Sequence, residues 1–122
     1  QLKLSVKDSA GGVRNSLNTK NYLQTMQPET AQVIQGYMLG TVMDGTASRA
    51  AVEGHSIAGK TGTAQVNSSG GKYDPHSWFV GYCAEEEHPY AVAVVVENGG
   101  SGGKAAAELA GKVLQKAIEI VK

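Results

Sequence analysis

The period of apolar and polar positions changes several times along the chain, and each change marks an element. Leu2, Leu4 and Val6 alternate with Lys3, Ser5 and Lys7, the period of two that a short half-buried strand shows. Asp8-Ser9-Ala10-Gly11-Gly12 is turn chemistry, and the chain to residue 27 then reads as irregular, polar and rich in Asn and Thr. Pro28 suits the first position of a helix, where its missing N–H is no loss, and Glu29 suits the positive end of the helix dipole. Ile34, Tyr37, Met38 and Val42 recur at three-and-four spacing, which predicts an apolar stripe facing a core. Gly36 and Gly40 each weaken an exposed helix by about 1 kcal/mol relative to alanine; close packing against another backbone would explain them. Asp44-Gly45 ends the helix, and residues 46–55 form a connector in which Arg49 and Glu53 read as surface groups.

Three strands follow. Ile57 to Val66 is the first, although Gly59 and Gly62 are poor strand formers that need a reason. Residues 66–76 form a loop. Trp78 to Ala84 is the second, with Trp78, Val80 and Tyr82 on one face and Phe79, Gly81 and Cys83 on the other. Glu85-Glu86-Glu87-His88-Pro89 is a solvated hairpin tip, short enough to make the next strand antiparallel. Tyr90 to Val96 is apolar throughout, which predicts a central strand covered on both faces. After the glycine-rich turn 98–103, Lys104 to Lys122 reads as a helix with Ala106, Leu109, Ala110, Val113, Ala117, Ile120 and Val121 as its buried stripe. Glu108 four residues before Lys112 adds a surface pair. The fold class is α+β: a helix, an antiparallel sheet of three strands, and a C-terminal helix packed on that sheet.

Composition narrows the function classes without choosing one. A length of 122 residues allows one domain with a modest core. Eleven basic residues cancel eleven acidic ones, which leaves no basic footprint for nucleic acid. The lone Cys83 excludes an intramolecular disulfide, and it reads as a small buried apolar group rather than a reactive thiol. His55, His76 and His88 show no metal-ligand spacing, so zinc is not favoured; His76 reads as a surface residue beside the loop. Trp78 is expected in the core. No apolar run is long enough to span a membrane, and no signal peptide opens the chain.

The candidate chemistry lies in the first of the three strands, in Lys60-Thr61-Gly62-Thr63. Lys60 brings a fixed positive charge suited to a carboxylate, and Thr61 and Thr63 add hydroxyls that can hydrogen-bond the same group. Gly62 lets a substrate backbone approach the strand and pair with its edge. K-T-G alone is a short and unspecific motif. Its setting is more specific: Ala58 to Gln65, then His76-Ser77-Trp78-Phe79-Val80-Gly81-Tyr82, then Ala91 to Gly100, with Met43-Asp44-Gly45-Thr46-Ala47 upstream. These blocks, in this order from about Pro28 onward, resemble the end of the transpeptidase domain of class B penicillin-binding proteins, of the elongation or sporulation type, within the serine penicillin-recognising enzymes.

The resemblance implies a parent enzyme, a serine D,D-transpeptidase that cross-links peptidoglycan, with the stem peptide ending in D-Ala-D-Ala as substrate and β-lactams as traps. It implies that Lys60, Thr61, Gly62 and Thr63 bind the substrate or drug carboxylate and that the Thr63 N–H is an oxyanion donor. It implies no metal and no organic cofactor. As partners it implies the N-terminal part of the same domain and other cell-wall synthesis proteins, with the parent anchored at the extracytoplasmic face of the membrane. The S-x-x-K serine and the S-x-N motif of the family precede K-T-G. Ser16-Leu17-Asn18 matches S-x-N by letters but lies too near Lys60, in polar chain; Ser101-Gly102-Gly103-Lys104 matches S-x-x-K but follows the motif, where Ser101 reads as a helix cap. Residues 28–122 are therefore expected to be the C-terminal part of the domain, preceded by segment 1–27 with its edge-strand pattern, and inactive alone. A β-lactam sensor domain, a serine β-lactamase fragment and a non-catalytic structural module are the alternatives.

Overall fold

The computed structural model describes residues 5–7, 10, 13–16, 23–66 and 74–120. Leu2 and Leu4, the turn at 8–12 apart from Ala10, most of the loop after Val66, and Val121 lie outside them. In chain order the elements are β1 (Ser5–Lys7), β2 (Val13–Ser16), α1 (Pro28–Asp44), a single 3-10 turn (Ser48–Ala50), β3 (Ile57–Ala64), β4 (His76–Cys83), β5 (Ala91–Val96) and α2 (Ala105–Ile120). β1 and β2 pair antiparallel with each other and form a sheet apart from the main one. Ser16 thus lies on a strand, not in the polar loop expected; Val13-Arg14-Asn15-Ser16 lacks the alternation that would reveal it.

The main sheet has the order β3-β4-β5, antiparallel throughout. Thr61 stands opposite Phe79 and Phe79 opposite Val94, so one row of side chains crosses the whole sheet on a single face. That face carries the core. Phe79 and Leu114 are fully buried, joined by Val42, Ala47, Ala50, Ile57, Cys83 and the small residues of α2. Full burial of a side chain as large as Phe79 contributes about 1.5–3 kcal/mol. Its ring lies over Gly59 and Gly81: a Cβ on either would collide with the ring, at 2.6 Å in the case of Gly81. The glycines in these strands are therefore the floor of a phenylalanine pocket, which is the reason β3 tolerates Gly59.

β5 is not a central strand among the described residues. It is an edge, and exposure alternates along it, with Val92, Val94 and Val96 half-buried toward the core and Val95 47% exposed. An unbroken run of Ala and Val hides the period of two that the backbone imposes. Trp78 is likewise not in the core. It lies on the outer face of β4, 42% exposed, because Ser77, Phe79, Gly81 and Cys83 take the inner face.

Both helices depart from the expected stripes. On α1 only Val42 is buried, while Ile34 and Tyr37 remain exposed, and nothing lies within 4 Å of a Cβ placed at Gly36 or Gly40. No described backbone packs on those glycines. On α2 the buried face is Ala106, Ala107, Ala110, Gly111, Leu114 and Ile118, whereas Leu109, Val113 and Ile120 point outward. Gly111 decides this rotation: a Cβ there would stand 3.1 Å from the backbone of Arg49 and Ala50, so the helix comes closest where its side chains are smallest. None of the described helices is long and apolar enough to cross a membrane.

α2 is anchored at its start by a buried serine. Ser77 on β4 accepts a hydrogen bond from the Ala106 N–H and donates one to the Ser101 carbonyl, both at 3.0 Å. The capping hydroxyl is thus that of Ser77, while Ser101 contributes its carbonyl. Each polar group of Ser77 in this interior is satisfied.

Candidate active site

Strand pairing determines which way each peptide group of β3 faces. Successive residues turn their N–H and C=O to opposite edges. The Ser56 carbonyl accepts from the Ala84 N–H at 2.8 Å, so the even-numbered residues of this stretch face β4. The odd-numbered ones face away, as the Gly59 carbonyl confirms by accepting from the Thr41 hydroxyl of α1. By this parity the N–H and C=O of Thr61 and Thr63 open onto the edge of β3 that no described strand covers.

The side chains alternate as well. Lys60 is exposed on the outer face with Val80 and Trp78, and Thr61 and Thr63 point to the inner face. Lysine and threonines therefore do not stand side by side, as the motif written in a line suggests. They meet only at the edge between the two faces. The Lys60 ammonium bends to that edge and donates to the Thr61 carbonyl at 2.7 Å. On the inner side the Thr61 hydroxyl is 3.1 Å from that of Thr46, and the Thr63 hydroxyl accepts from the Gly102 N–H at 3.2 Å. Each of these hydroxyls keeps hydrogen-bonding capacity for a further partner.

Gly62 is approached by backbone, and that backbone is the chain's own. A Cβ on Gly102 would collide with the Gly62 carbonyl, and one on Gly103 would stand 2.5 Å from the Thr46 carbonyl. The turn before α2 thus lies across β3 and holds the motif from the inner side, leaving the outer edge open. Thr41, Thr46 and Gly102 were not among the candidate residues. Thr46 stands in the upstream block that carries the resemblance, and the glycines at 99–103 signalled a close approach whose partner only the fold reveals.

The remaining candidates fall elsewhere. His76 opens β4 and accepts from the Asn98 N–H at 3.0 Å through Nδ1, so it pins the turn after β5. Arg49 pairs with Glu108 at 3.6 Å rather than with Glu53. Glu85 is not simply a solvated tip residue: its carboxylate accepts from His55 Nδ1 at 2.9 Å and from the Ser56 N–H at 2.7 Å. The His55 bond, first, and the Ser56 bond hold the Glu85 carboxyl below the usual glutamate range. Cys83 is buried, and burial pushes its thiol up, as expected of an unreactive cysteine. Two cavities flank α1, one of about 390 Å³ bordered by Gln35, Tyr82 and Tyr90 and one of about 300 Å³ bordered by Leu39, Met43 and Ile57. Both lie toward the Ile57 end of β3, away from Lys60.

An α+β unit whose edge strand presents Lys-Thr-Gly-Thr defines a piece of a serine penicillin-recognising scaffold, and comparison with known proteins agrees. The sequence profile of the penicillin binding protein transpeptidase domain matches residues 5–115. The chain belongs to this family, in its class B branch. It is 30% identical over 112 residues to the peptidoglycan D,D-transpeptidase PbpA of Mycobacterium tuberculosis, covering 86% of this chain and 23% of that protein. The D,D-transpeptidase domain of a peptidoglycan glycosyltransferase from Eggerthella lenta superposes with a TM-score of 0.76 at 34% identity, covering 95% of this chain and 26% of that one. Penicillin-binding protein A of M. tuberculosis, solved as a ceftriaxone acyl-enzyme complex, superposes with a TM-score of 0.69 at 25% identity, over 96% of this chain and 26% of that one. The chain therefore spans about a quarter of the length of these relatives.

Proposed function

We propose that this chain forms the carboxylate-binding wall of a peptidoglycan D,D-transpeptidase and that the acylated serine lies outside it. The observation that carries the reading is the open edge of β3, along which lie the Lys60 ammonium, held by the Thr61 carbonyl, and the outward-facing N–H of Thr63. A stem peptide ending in D-Ala-D-Ala would lie along this edge as an added strand, its terminal carboxylate met by Lys60 and the hydroxyls of Thr61 and Thr63. Serine attack on the penultimate carbonyl then places negative charge on its oxygen, and the Thr63 N–H donates to that oxyanion. D-Ala leaves, and an amine of a neighbouring stem peptide takes the acyl group. A β-lactam presents the same carboxylate and acyl carbon and stays on the serine. The ceftriaxone acyl-enzyme of the M. tuberculosis relative supports this role for drugs of the class. The whole protein would work at the extracytoplasmic face of the membrane, held by an anchor and accompanied by other cell-wall synthesis proteins.

Labelling with a fluorescent penicillin tests the reading. The protein encoded by the complete reading frame is expected to become covalently labelled, and the 122-residue chain alone is not. Lys60→Ala in the complete protein removes a charge-assisted hydrogen bond, about 1.5–3 kcal/mol, and should slow acylation roughly 10- to 150-fold. Labelling of the isolated chain would place the nucleophile inside it and overturn the assignment.

A further inference from the structure

At the end of the sheet opposite Lys60, the fold gathers residues that are far apart in sequence. A ring nitrogen of His55, Cys83 Sγ and a carboxylate oxygen of Glu85 all lie within 4.8 Å of one another. His55 comes from the turn before β3, Cys83 ends β4, and Glu85 opens the β4–β5 connection. We propose that these three side chains form a binding site for a zinc-class divalent metal ion, with His88 as the neighbouring fourth nitrogen.

The donor set is one imidazole, one thiolate and one carboxylate, a combination that suits zinc and other borderline-soft first-row ions and does not suit magnesium or calcium. The spacing fits as well. Zinc bonds of about 2.0–2.3 Å set tetrahedral ligand atoms roughly 3.3–3.7 Å apart. To reach that geometry the 2.9 Å His55–Glu85 edge would widen, and separations that reach at most 4.8 Å would shorten by about 1 Å through side-chain rotation. The Ser56 N–H, 2.7 Å from the other Glu85 oxygen, fixes the orientation of the carboxylate and leaves its second oxygen for the metal. The His55–Glu85 hydrogen bond accounts for two of the three groups without a metal, but a fourth observation stands outside it. His88 packs edge-on against His55, ring centroids 5.3 Å apart, and its Nδ1 is buried with no hydrogen-bond partner among the described residues. Orphaned buried nitrogens of this kind are rare in folded proteins, and an absent ion or water is among their ordinary explanations.

On binding, the Cys83 thiol releases its proton to solvent and the thiolate bonds the metal. The proton that His55 Nδ1 donates to Glu85 is given up to solvent while Nε2 takes one from solvent, so neutral His55 offers its Nδ1 lone pair and Glu85 coordinates as the carboxylate. A dication then neutralises two anions that would otherwise repel in a half-buried place. The site joins the pre-β3 turn to the β4–β5 hairpin, so its role is to clamp the far end of the strand that carries the motif.

The test uses the full chain, reduced and stripped with a chelator, titrated with Co²⁺ and then Zn²⁺. Saturation by a single equivalent of Co²⁺, with a near-ultraviolet thiolate charge-transfer band and tetrahedral visible bands, is the expected result. Zn²⁺ should displace it, and Mg²⁺ should not. Cys83→Ala should abolish the charge-transfer band. Glu85→Gln, a partly exposed change compatible with folding, should weaken Zn²⁺ by more than the ~10-fold that loss of an outer-shell partner brings. An octahedral, aquo-like cobalt spectrum at stoichiometric metal, or equal Zn²⁺ affinity in the Glu85→Gln chain, would overturn the site. No readout involves acylation, so the result is independent of the transpeptidase assignment.

Discussion

At the scale of single residues, Glu85 and Phe79 show how position overrides residue type. Glu85 belongs to a run of three glutamates, yet it alone among them holds two hydrogen bonds across the hairpin base. Its lowered pKa fixes the sign of a pH effect. The stabilisation is complete above the ordinary glutamate value and is lost as pH falls through the lower value of the folded state. A carboxyl-detected NMR titration should therefore give Glu85 a midpoint below the ordinary glutamate value. Glu85→Gln should flatten the acid limb of stability. Phe79 depends on two neighbours with no side chains. Gly59→Ala drives a methyl into its ring and should cost about 1–3 kcal/mol by overpacking, read from urea midpoints, although alanine is the better strand residue.

Among the elements, β3 offers the sharpest contrast between two substitutions. Proline is tolerated on a sheet edge when the lost N–H faces away from the ladder. Thr63→Pro should then leave the sheet paired while deleting the proposed oxyanion donor, slowing acylation of the complete protein by about 10²–10³, or roughly 2.7–4 kcal/mol. Thr63→Ala, which keeps the N–H, should lose far less; equal losses would remove Thr63 N–H from the chemistry. Ser77→Ala uncaps α2 and leaves the Ser101 carbonyl with only the Lys104 N–H, with an expected cost of about 1–2 kcal/mol in thermal or urea unfolding. Both helices, strands β3 to β5 and their order were legible in the sequence because periodicity reports backbone geometry; β2, whose four residues do not alternate, was not. Helix rotation was not. Leu109, Val113 and Ile120 are the larger apolar groups, but Ala107, Ala110 and Gly111 allow the closer approach, and no single-helix pattern contains the backbone of Ala50 that selects them. For the same reason Lys60 and Thr63 were readable as candidates, while the converging Thr41, Thr46 and Gly102 were not.

For the molecule as a whole, every buried strand residue except Ala58 lies on one face of the sheet. The outward sides of α1, α2 and β5 leave Tyr37, Met43, Val113 and Val95 in contact with solvent. Stability should follow this partition: Tyr37→Ser and Met43→Ser should change the unfolding free energy of the chain by less than about 0.5 kcal/mol, and Val42→Ala should cost about 2 kcal/mol. β5 carries a further consequence, a kinetic one. Ala91-Val92-Ala93-Val94-Val95-Val96 has no charge and no proline, and among the described strands it pairs on one side only. Such a segment is a template for cross-β growth. The useful lifetime of the isolated chain in solution should thus be governed by nucleation, shortening steeply with concentration at constant thermodynamic stability. Val95→Lys, on the exposed side of the strand, should lengthen the thioflavin lag without moving the unfolding midpoint.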